Sequence, residues 1–120
     1  MSSQVTNVVG TWKIVDYSQH PECFGCQIEI KHEKEDENMY RLRACVINDL
    51  NCTLQHNSTT NQWQMCSFRT TEMGGSPEDM KKEDVISNLM RDIQKMEVQG
   101  EQQLIIQTNN GEQARLDRLQ

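Results

Sequence analysis

The chain has 120 residues, 35% apolar and 5% aromatic, with a formal net charge of −6 and a mean hydropathy of −0.79. That length supports one core and a single domain, and charged residues at 25% argue against global disorder. The negative balance argues against nucleic acid, which needs clustered Lys and Arg, and against docking on anionic lipid.

In chain order, "VVGTWKIVDYS" opens with the strand formers Val8, Val9, Trp12, Ile14 and Val15. "HPECFGC" is a loop punctuated by Pro21 and Gly25. "QIEIKHE" alternates Ile28, Ile30 and His32 against Glu29, Lys31 and Glu33, a half-buried strand. "KEDEN" is a charged turn, and "MYRLRACVI" returns with Tyr40, Leu42, Ala44 and Val46 on one face, as in a hairpin. "NDLN" turns again, "CTLQH" is a short strand, and "QWQMCSFRTTEM" alternates Trp63, Met65, Ser67 and Arg69 before Gly74-Gly75. A helix follows. Ser76 is its N-cap, Pro77 its first residue, and Asp79 completes an approximate capping box. Ile86, Leu89, Met90 and Ile93 form its apolar stripe over about four turns. Met96 and Val98 alternate up to Gly100, Leu104 and Ile106 follow, and Asn110-Gly111 is a strong hairpin signal before Ala114 and Leu116. The expected fold is mainly β: an antiparallel barrel-like or strongly curved sheet of about eight strands with one amphipathic helix.

The ordered series "VVGTWKIV", Thr71-Glu72-Met73, a capped helix, "VQGEQQLII" and an "NNG" hairpin resembles the META/HslJ-like domain. The resemblance runs from about Val8 to Leu119, and "GGSPEDMKKEDVISNLM" is most similar to the kinetoplastid proteins up-regulated in the metacyclic stage. It implies a small barrel-like sheet with one helix and a link to virulence, stress response, motility or secretion. It implies no catalytic residue. The bacterial pattern carries Gly-Cys-Asn where this chain has "RACVINDLNC", with Cys45 but no Gly-Cys-Asn. Gly10-Thr11-Trp12 also resembles the first-strand signature of lipocalins and fatty-acid-binding proteins, which makes a small-molecule carrier an alternative; Trp12 otherwise plugs the bottom of a small barrel.

Five cysteines, Cys23, Cys26, Cys45, Cys52 and Cys66, fit reduced thiols better than a disulfide framework. Cys23-Phe24-Gly25-Cys26 has the spacing of a zinc-chelating or redox pair, with Cys45, Cys52, Cys66 or His20 as further metal ligands. No second C-x-x-C appears, and Cys26 leads into a strand where a redox pair usually opens a helix, so ordinary reduced thiols are the favoured reading. His20, His32 and His56 lie scattered in loops or strands, and the Glu33–Glu37 acidic run lacks calcium-loop spacing. Met65, Met73, Met80, Met90 and Met96 either fill gaps in the core or, at Met80 and Met90, line a groove between helix and sheet. No apolar run is long enough to span a bilayer, and Met1–Asn7 lacks the basic and apolar regions of a signal peptide. The expectation is therefore a cytoplasmic, non-enzymatic interaction protein without a cofactor, binding an unidentified protein partner through residues among Trp12, Met73, Met80 and Met90.

Overall fold

The computed structural model describes residues 8–17 and 19–119; the expectation about Met1–Asn7 lies outside them. Eight strands form one antiparallel sheet: β1 Gly10–Asp16, β2 Gln27–His32, β3 Met39–Cys45, β4 Asp49–Asn57, β5 Gln62–Thr70, β6 Ile93–Gln99, β7 Gln103–Thr108 and β8 Gln113–Arg118. One helix, α1 Pro77–Arg91, connects β5 to β6. The strand order is β5-β4-β3-β2-β1-β8-β7-β6, so every sequential pair is a hairpin except β5 and β6. The pairing of β1 with β8 joins the first strand to the last and curls the sheet into a nearly closed barrel. The two edges, β5 and β6, then lie alongside each other at the seam.

The interruption by a helix has a local cause and a global consequence. Ser76 Oγ accepts the Asp79 backbone N–H at 3.1 Å, Pro77 occupies the first turn, and Glu78 and Asp79 complement the helix dipole. Ile86, Leu89 and Met90 are buried, each contributing about 2 kcal/mol as an upper estimate for full burial. They face the barrel end that carries the 3₁₀ turn Pro21–Cys23 and the β3–β4 turn. The helix therefore lids that end.

Alternation places Ile14, Ile28, Ile30, Leu42, Leu50, Leu54, Leu104, Ile106 and Leu116 inside, each at most 1% exposed. Trp12 joins them with its ring fully buried, its Nε1–H donating to the Val8 carbonyl at 2.8 Å. These side chains take up the barrel interior, with Trp12 the largest of them.

Several local expectations are corrected. Ile93 opens β6 and is not part of the helical stripe, because α1 ends at Arg91 and the Asp92 N–H closes its last turn on Asn88. A β-bulge between the Thr53–Ser67 and Leu54–Met65 pairs breaks the β5 alternation; past it Phe68 turns inward, and Ser67 and Arg69 face solvent. β4 starts at Asp49, longer than the "CTLQH" segment. His32 is exposed at the end of β2, and Val46 lies beyond β3, half-buried. No described helix is long and apolar enough to cross a membrane.

Candidate functional site

The two best-defined chemical features flank α1. The first is the Cys23–Cys26 turn. Phe24 at φ −60° and ψ 132° followed by Gly25 at φ 92° matches a type II β-turn, whose third residue needs a left-handed conformation and so favours glycine. The Cys26 N–H donates to the Cys23 carbonyl at 3.1 Å and closes the turn. Gly25 N–H donates to Ile14 O, and Ile14 N–H to Cys26 O, both at 2.8 Å, which pins the turn to β1. Cys23 is fully buried, with its thiol 3.9 Å from the Lys82 carbonyl of α1. Cys26 is half-buried and borders a surface cleft of about 530 Å³ shared with Thr11, Gln27, Arg43 and Cys45.

The two thiols interact, and their environments push them apart. The Cys26 side chain, burial and the nearby Glu22 push the Cys23 thiol up and keep its proton on. The Cys23 side chain draws Cys26 down to about 7 against the opposing effect of burial, helped by the Lys82 ammonium. Among the described residues no group of three or more His, Cys, Asp or Glu gathers as a metal cluster, so Cys45, Cys52, Cys66 and His20 do not complete a zinc site around this pair. Cys52 instead faces the core with its thiol 3.7 Å from Met90 O, pushed up to about 12 chiefly by burial.

The second feature is the strap joining β5 to α1. Every residue from Thr71 to Met80 is exposed, yet the backbone is held. Buried Asn48 receives the Met73 N–H at 2.7 Å and the Thr71 hydroxyl at 2.8 Å on Oδ1. Its Nδ2 donates to Met73 O at 3.1 Å and to Glu83 Oε2 at 2.8 Å. Glu83 Oε1 then accepts the Asn48 and Ile47 backbone N–H groups at 2.7 and 3.0 Å. A hydrogen-bonded pair from the β3–β4 turn and α1 thus fixes the Thr71-Glu72-Met73 backbone while the Met73 side chain stays 60% exposed.

The named candidates separate cleanly. Trp12 and Met90 are core; Met73 and Met80 are exposed. Met80 and Met90 accordingly do not line one groove, because Met90 is on the buried stripe of α1 and Met80 is not. Sequence reading passed over Asn48, Lys82, Glu83 and Glu112. Their signal is a contact between residues far apart in the chain, which periodicity does not report. Glu112 accepts the Tyr17 hydroxyl at 2.8 Å and lies 3.3 Å from His20 Nε2, tying the end of β1 to the β7–β8 turn. His56 is buried and bonded to Asn61, its ring against Trp63, so it serves the core.

No family model matches the chain, and no curated protein matches it. Among solved structures, an NMR structure of a protein from Burkholderia xenovorans aligns with a TM-score of 0.57 at 14% identity, over 92% of this chain and 78% of that one. At that identity the likeness is one of fold.

Proposed function

We propose that the chain is a non-enzymatic protein-interaction module of the META/HslJ-like kind, which presents the Thr71–Met80 strap to a protein partner. The observation that carries this reading is the Asn48 clamp: it fixes the Met73 backbone on both sides while leaving an apolar side chain in solvent. Methionine suits such a position because its unbranched, polarizable side chain adapts to varied partner surfaces. A held backbone also reduces the entropy lost on docking. The motif series beginning at "VVGTWKIV" supports the family assignment and, with it, a role in stress response, virulence or secretion. Five free cysteines support a reducing compartment, the cytoplasm.

The test places a photo-reactive group at position 73 and compares capture with that of a Met73→Ser, Met80→Ser double variant. Cross-linking to one dominant partner, with its affinity reduced about tenfold in the double variant, is the expected outcome for apolar anchors of this size. Capture that survives both substitutions unchanged, or that never exceeds background, overturns the reading.

A further inference from the structure

We propose that Cys23 and Cys26 form a thiol–disulfide exchange site that reacts with low-molecular-weight disulfides, a chemistry independent of the strap. Two geometric observations carry it. The hydrogen-bonded type II turn brings the two Cα atoms within about 7 Å, at the edge of the separation a disulfide spans. Exposure is divided between the thiols: Cys26 opens on a cleft large enough for a small disulfide, while Cys23 is sealed beneath α1. Beside this geometry, the Cys23 side chain and the Lys82 cation lower the Cys26 thiol to about 7. A helix N-terminus, the usual source of thiolate stabilisation in C-x-x-C pairs, is absent at this position because Cys26 runs into β2. The buried thiol and the ammonium from α1 take its place.

The exchange runs in two displacements. The Cys26 thiolate attacks one sulfur of the small disulfide, RSSR, forming a Cys26–S–S–R bond and expelling RS⁻. Cys23 then gives up its proton and attacks the Cys26 sulfur, forming the Cys23–Cys26 disulfide and expelling the second RS⁻. The two thiols of the protein are oxidised by two electrons, RSSR is reduced to two RSH, and the protons lost by Cys26 and Cys23 are balanced by those the two leaving thiolates take up. The division of labour follows from position: the accessible sulfur must act first and the sealed one must resolve.

The experiment uses the full chain carrying Cys45→Ser and Cys66→Ser, which removes the two exposed thiols. Oxidised glutathione is the probe, and peptide mapping by mass spectrometry is the readout. The expected product is an internal Cys23–Cys26 disulfide, with no stable glutathione adduct. Adding Cys23→Ser, or Cys23→Ala if the serine variant does not fold, leaves glutathione on Cys26; adding Cys26→Ser abolishes reaction at both positions. Gly25→Ala, which strains the φ 92° turn, slows closure of the internal disulfide and lets the mixed form accumulate. In the reduced chain, alkylation of Cys26 by iodoacetamide has its midpoint near pH 7, and at that pH it is about fivefold faster than that of the unfolded chain's thiols. Alkylation no faster than in the unfolded chain, or a glutathione adduct that persists without closing in the chain that keeps Cys23, overturns the proposal.

Discussion

Replacing Trp12 with alanine is expected to lower the unfolding free energy by about 4 kcal/mol, the largest effect of any single substitution considered. The ring is fully buried where β1, β2 and β8 meet, paired with Ile28 on one side and Arg118 on the other. Three losses add together on truncation. The barrel interior loses its largest side chain, and a well-packed surround of β-branched residues cannot collapse into the space. The Val8 carbonyl loses the indole N–H that it accepts at 2.8 Å. The Arg118 guanidinium, 4.2 Å from the ring centroid, loses its aromatic face. Trp12→Phe keeps part of the packing but neither the N–H nor the full volume, and should cost about half as much. Urea unfolding of the two variants checks both figures. A loss under about 1 kcal/mol for the alanine variant would mean that Trp12 is not the plug of the barrel.

Asn48→Ala is the second large effect, at about 3 kcal/mol, through a different mechanism. Four side-chain hydrogen bonds disappear together, and Glu83 loses one of its three donors. The Met73 N–H, Met73 O and Thr71 hydroxyl must then find water, which releases the strap from its fixed path. Asn48→Asp is no substitute: it keeps the acceptor for Met73 N–H but sets a second carboxylate against Glu83. Both variants can be read by thermal unfolding, with backbone amide exchange at Met73 as the local measure. Amide exchange at Met73 that is unchanged in the alanine variant would sink the clamp interpretation.

The same network makes stability depend on pH in a defined direction. Burial disfavours the Glu83 carboxylate, but the Asn48 side chain and the Asn48 and Ile47 backbone N–H groups outweigh it and pull the carboxyl below its ordinary 4.5. The unfolded chain therefore takes up this proton at higher pH than the folded chain does. The contribution is fully present above 4.5 and disappears as pH falls through the lowered folded value. Glu83→Gln lacks that contribution, so the stability gap between wild type and variant should narrow on acidification below 4.5 and stay constant above it. A gap that is flat from acid to neutral pH would assign the network's effect to packing alone.

Legibility in the sequence followed the range of the interaction concerned. The helix start was readable because its determinants lie within four residues: Ser76 caps the Asp79 N–H and Pro77 occupies the first turn, as the local sequence indicates. Its end was misplaced by two residues, since Ile93 continues a helical spacing and only the ladder of β6 with β7 draws it into a strand. Alternation identified the inward residues of β2, β3, β7 and β8 and failed in β5, where one extra residue at the bulge reverses every later side chain. The cysteine pair was visible as a spacing. Its character was not, because Lys82 and the lid formed by α1 come from nearly sixty residues away.

By itself, the sequence determined an antiparallel, mainly β fold of about eight strands with one capped helix, because periodicity, turn residues and capping are written in near neighbours. Only the tertiary structure decided the strand order, the seam between β5 and β6, the burial that separates Met90 from Met73 and Met80, the joining of Asn48 to Glu83 and the sealing of Cys23 against α1. Those features depend on which distant segments meet once the sheet curls shut, and a one-dimensional pattern of apolar and polar residues fits several such closures equally well.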